Sequence, residues 1–116
     1  MIKEYTSLGL MSGTSVDGVD ASIIKSNGVD RFSVIEDKYF EYPSSIYKNF
    51  HYLKEKINNN NDLKSFSKEL SDLERQITLF NAKVINEICD KKTIDLIGFH
   101  GQTIYHNSQE KISLQL

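Results

Sequence analysis

Gly9-Leu-Met-Ser-Gly-Thr-Ser-Val-Asp-Gly-Val-Asp20 decides how this chain begins. A strand-like run containing Leu8, Leu10 and Met11 stops there. Small residues and hydroxyls follow, and Val19-Asp20-Ala21-Ser22-Ile23-Ile24 resumes the strand pattern. Asp17-Gly18 between two such runs predicts a hairpin, with Gly18 supplying a positive φ. Ser12, Gly13, Thr14 and Ser15 sit where the chain turns. Converging backbone N–H groups, the missing Cβ at Gly13 and Gly18, and three hydroxyls have the chemistry of a phosphate cradle. The same residue types are ordinary turn formers, and both readings stand at this point. The stretch is not a Walker A loop, for it lacks Gly-Lys-Ser/Thr. It is not a Rossmann fingerprint either, since no helix pattern follows.

Working outward, strands are predicted over residues 5–11, 19–25 and 32–41, with a turn at Ser26-Asn27-Gly28. The opening is therefore an antiparallel meander. Pro43-Ser44-Ser45 marks a switch, and Ile46, Phe50, Leu53 and Ile57 at helical spacing predict a short helix over 44–57. The polar run 58–61 breaks it. Asp62 is the expected cap of a long helix over 63–89. Its apolar positions are Leu63, Phe66, Leu70, Leu73, Ile77, Phe80, Val84 and Ile88. Such a stripe can form a coiled-coil seam, but strand-like flanks favour packing against a sheet. Lys91-Lys92 suits the negative end of that helix. Residues 94–99 then read as a buried strand, His100-Gly101-Gln102-Thr103 as a polar turn, and 112–116 as a half-buried strand.

The expected order is β-β-β-α-α-β with a closing strand, a mixed α/β sheet. Helices between the meander and a later strand predict a parallel neighbour in the sheet. The loops after the first strand and after Phe99 then share one sheet edge, around one cleft. A chain ending in mid-strand reads as a truncated one.

Composition narrows the classes. The 116 residues carry a net charge of −2 and a pI near 5.9, which fits one domain. No basic patch speaks for nucleic acid or an anionic membrane. No apolar run approaches the ~20 residues of a membrane span, and the N-terminus lacks a signal-peptide core. The single Cys89 cannot form an internal disulfide and fits a reducing cytoplasm as a small helix residue. The three histidines lack zinc-ligand spacing, so His51 and His106 read as surface or packing residues.

Residues 9–20, together with Gly98-Phe-His-Gly-Gln-Thr-Ile-Tyr-His106, closely resemble the anhydro-N-acetylmuramic acid kinase family. Asp72-Leu-Glu-Arg75, Leu79-Phe-Asn-Ala82 and Ser113-Leu-Gln-Leu116 are similar to it as well. The resemblance implies part of the first, ribonuclease H-like lobe of an actin-like, two-lobed ATPase. It implies that ATP and water act on 1,6-anhydro-N-acetylmuramic acid to give N-acetylmuramic acid 6-phosphate during cell-wall recycling in the cytoplasm. Ser12, Gly13, Thr14, Ser15, Val16, Asp17, Gly18, Val19 and Asp20 are then the expected contacts to ATP phosphate. His100, Gly101, Gln102 and Thr103 are expected to face the sugar. Many sugar kinases of the superfamily carry Asp-x-Gly-Gly-Thr at the first loop, and here Leu10 falls at the acidic position. Asp17 becomes the candidate for a water-mediated Mg²⁺ contact. The catalytic base, the adenosine site and the hinge are expected beyond Leu116, with no catalytic residue here and no kinase activity in the isolated chain. A homodimer is the assembly to test. The competing readings are another sugar or acyl phosphotransferase of the superfamily, and a non-catalytic module pairing through the long helix. A glycosidase using Asp17 and Asp20 is disfavoured, since residues three apart at one turn do not flank a sugar ring.

Overall fold

The computed structural model describes residues 3–13, 16–89, 93–99 and 101–116. Three strands open it: β1 (Tyr5–Met11), β2 (Gly18–Ser26) and β3 (Phe32–Glu41). Helices α1 (Ser44–Lys56), α2 (Asn60–Ser65) and α3 (Ser67–Ile88) follow, then β4 (Leu96–Phe99), β5 (Thr103–Asn107) and β6 (Ile112–Gln115). The main sheet has the order β3-β2-β1-β4. The meander is antiparallel, as its alternation predicted, and β4 lies parallel to β1. Asp95 fastens the start of β4: its N–H donates to the Thr6 carbonyl and its carboxylate accepts from the Thr6 N–H.

Alternation along the strands sends Leu8, Leu10, Val19, Ala21 and Ile23 to one face, all buried. The α3 residues Leu70, Leu73, Ile77, Val84 and Ile88 and the α1 residues Ile46, Phe50 and Leu53 complete the core. The long stripe therefore packs on α1 and β2. It is not a coiled-coil seam.

Four expectations are corrected. The turn before β2 does not use Gly18 for positive φ; that conformation falls on Val16, at φ 58°. Gly18 opens β2, and a Cβ there would overlap the Phe40 carbonyl oxygen. The long helix is two pieces meeting at Phe66 (φ −103°, ψ 21°). Just before that joint, the Ser65 hydroxyl donates to the Asn61 carbonyl, a back-bond that bends helices. The cap of α2 is Asn59, whose side chain accepts from the Asp62 N–H, while Asp62 itself sits in the first turn. Finally, β4 is exposed along its whole length, because nothing among the described residues covers the sheet beyond it. The Lys91-Lys92 helix end lies outside the described residues.

One element went unforeseen. Thr103–Asn107 is a strand, and with β6 it forms a separate two-stranded sheet. Its register slips between Thr103 and Tyr105, which lets the successive residues Ile104 and Tyr105 both be buried. No helix among the described residues is long and apolar enough to cross a membrane.

Candidate functional site

Two neighbouring strands running the same way release their following loops at one edge. Here β1 and β4 are such a pair, with Leu10 opposite Phe99. The bend after Met11 and the bend after Phe99 accordingly meet. The Gln102 side-chain amide donates to the Gly13 carbonyl at 3.0 Å. That carbonyl also accepts from the Val16 N–H at 3.1 Å.

The first bend is anchored at several points. Val16 is only 1% exposed, and its burial holds a β-branched residue in a conformation such residues avoid. The Asp17 carbonyl accepts from the Tyr42 N–H at 2.9 Å, and the Ser12 and Tyr42 hydroxyls share a hydrogen bond of 3.0 Å. Tyr42 is buried against Phe80, with ring centres 5.1 Å apart. Burial pushes its phenol above the usual tyrosine range, while the Ser12 contact opposes this in part. The hydroxyl therefore stays neutral at physiological pH. Val16 and Val19 belong to the core and Gly18 is buried against Phe40 and Tyr39, whereas Gly13, Asp17 and Asp20 are exposed and Ser12 is half-buried. Thr14, Ser15 and His100 lie outside the described residues.

The second bend is tied to the closing strand. The N–H and C=O of Gln102 exchange hydrogen bonds with Leu116, at 3.0 and 2.8 Å. Gly101 sits at φ 76°, and any Cβ there would overlap the Leu116 carbonyl oxygen. Gln102 is 3% exposed, and its Oε1 is buried without a hydrogen-bond partner among the described residues. An orphaned buried acceptor costs about 1–3 kcal/mol, against about 0.5–1.5 kcal/mol for the bond its amide makes.

Between the bends lies a cleft of about 300 Å³, lined by Ser12, Gln102, Thr103, Tyr105, His106 and Lys54. Lys54 comes from the last turn of α1. Spacing offered no hint of it, because an exposed lysine on a helix is the commonest kind of residue there. A second depression of about 280 Å³ lies on the other side of the first bend, between Asp17, Glu41, Tyr42 and Tyr47. Negative charge gathers there. The Tyr39 phenol, on β3, is raised first by desolvation and then by the carboxylates of Asp17, Glu41 and Asp20.

Among the described residues no three acidic, histidine or cysteine side chains group closely enough to hold a metal ion. Mg²⁺ commonly keeps its waters and binds one or two carboxylates beside phosphate oxygens. The exposed Asp17 fits that outer role and no tighter one.

Comparison with known proteins shows the family. The family model described as anhydro-N-acetylmuramic acid kinase matches residues 5–116. A protein of that name from Pelagibacter ubique is 57% identical over 118 residues, covering 100% of this chain and 32% of the relative. One from Prochlorococcus marinus is 37% identical, covering 90% of this chain and 27% of its own length. One from Agrobacterium fabrum is 29% identical over 96% of this chain and 31% of the relative. The chain thus spans about a third of the length of the curated relatives it matches.

Proposed function

Because this chain belongs to the anhydro-N-acetylmuramic acid kinase family, we propose that it forms the N-terminal portion of an enzyme joining ATP to 1,6-anhydro-N-acetylmuramic acid. In that reaction water adds at the anomeric carbon as the bond from it to O6 breaks. O6 takes the γ-phosphoryl group, ADP leaves, and N-acetylmuramic acid 6-phosphate results. Recycling of cell-wall sugar in the cytoplasm, where ATP is available, is the matching role. A homodimer is the proposed assembly.

The observation that carries this reading is the Gln102–Gly13 hydrogen bond, which joins the two bends into one rim. In the division of labour we propose, the first bend orients triphosphate oxygens. Ser12, Gly13, Thr14 and Ser15 supply donors to them, while Asp17, and less directly Asp20, meet the magnesium that travels with ATP. Magnesium neutralises phosphate charge when bound. Val16 and Val19 hold the bend's shape from the core side and Gly18 by its close approach to the Phe40 carbonyl, consistent with their burial. Charge-assisted hydrogen bonds to phosphate contribute about 1.5–3 kcal/mol each, and orientation is most of what phosphoryl transfer asks of a protein. His100, Gly101, Gln102 and Thr103 form the carbohydrate side. Lys54 at the cleft is suited to the carboxylate of the sugar acid.

The test is product analysis. The full-length gene product is incubated with ATP and the anhydro sugar, and the product is read by mass spectrometry. A gain of one water and one phosphoryl group is expected. Phosphorylation of glucose or acetate in its place would overturn the substrate and favour a sister phosphotransferase.

A further inference from the structure

We propose that Gln102 is a positioning residue that shapes the phosphate-binding bend from inside the carbohydrate-binding one. The kinase reading supplies the identity of the ligands; the clamp itself rests on geometry alone. The Gly13 carbonyl already has a donor in the Val16 N–H, so the Gln102 amide is not needed to satisfy it. Its effect is directional. With the Gln102 amide and the Val16 N–H both donating to it, the direction of that carbonyl is fixed, and with it the path of the chain into the bend.

The clamp is stiff at its base. Leu116 holds the Gln102 backbone on both its N–H and its C=O, and Gly101 is locked in a turn that no other residue fits. Only an amide suits the position, because a carboxylate would set oxygen against oxygen. Its Oε1 is buried without a partner among the described residues. Thr103, next in sequence, is exposed and lines the cleft. Sugar touching Thr103 therefore acts one residue away from the group that sets the shape of the first bend. Whatever factor one substrate changes the other's affinity by, the reverse factor is expected to be the same, by reciprocity.

Gln102→Met and Gln102→Glu in the full-length protein test this. Hydrogen exchange without ligand reads the clamp directly: the Val16 amide is expected to exchange about tenfold faster in both variants. In Gln102→Met the melting temperature is expected to hold or rise, while KM for ATP increases about tenfold and kcat changes far less. Unchanged exchange overturns the clamp whatever reaction the protein catalyses. Faster exchange with an unchanged KM for ATP overturns the role in shaping the phosphate site. Loss of folding in both variants assigns Gln102 to the core and overturns the proposal. Faster exchange in a protein that leaves the anhydro sugar untouched supports the clamp and counts only against the kinase reading.

Discussion

Gly18 and Tyr42 show how single residues hold the rim in shape. At Gly18 the obstacle to a side chain is backbone, the Phe40 carbonyl, which cannot swing aside as a flexible chain end can. Gly18→Ala is expected to destabilise by about 1–3 kcal/mol, seen as a lower urea midpoint with an unchanged slope. Tyr42 makes a prediction in pH. Its folded pKa lies above 10.0, so the fold favours the neutral phenol. That contribution is complete below the unfolded pKa and is lost as pH rises through the folded one. As pH rises above about 10 the wild-type melting temperature is expected to fall more steeply than that of Tyr42→Phe. Equal slopes would show that the hydroxyl is already solvated in the fold. Residue types alone pointed to two bends that the fold brings together, since hydroxyls, glycines and an amide cluster there in sequence. They did not distinguish the roles within them. Gly18 is needed for its closeness to the Phe40 carbonyl rather than for a positive φ, and Gln102 spends its amide on the neighbouring bend, because those outcomes depend on residues far away in the chain.

Among the elements, those with a strong local signal came through with their bounds nearly intact. The meander and α1 follow from alternation and from helical spacing after Pro43, both short-range properties. The joint at Phe66 was invisible to periodicity, since Leu63, Phe66 and Leu70 keep helical spacing straight across it. Strand β4 was expected to be buried because its residues are apolar, but burial requires a covering layer as well as a sequence. Asn81 is the converse case, a polar residue within the buried stripe of α3. Its amide donates back to the Ile77 carbonyl at 2.9 Å, and its Oδ1 is buried without a partner. Removing such a group is expected to cost nothing or to stabilise. Asn81→Leu should therefore hold or raise the thermal midpoint, and a fall of more than about 1 kcal/mol would mean the amide has a partner it needs.

For the molecule as a whole, the main consequence is an open sheet edge. The principal extents are 53 × 31 × 20 Å and the radius of gyration is 16.6 Å, against about 13 Å for a compact domain of this size. Leu96, Ile97 and Phe99 on β4 are each more than half exposed. An apolar edge strand invites pairing with another chain. The 116-residue chain studied alone is expected to self-associate with rising concentration. Ile97→Lys should reduce this in light scattering without changing the helix signal in circular dichroism. Equal association in that variant would move the sticky surface elsewhere, to β3 with its exposed Phe32 and Val34.

The bond between the two bends also sets an order of events at the ribosome. Residues 5–41 can pair as a meander from neighbours in the chain, whereas Gln102 reaches Gly13 across 89 positions. At about 5–20 residues per second, the first bend emerges some 4–18 seconds before its clasp has been made. Through that interval it is a bare turn at the tip of a nascent hairpin. The joined rim is therefore completed late, by a long-range closure of the segment.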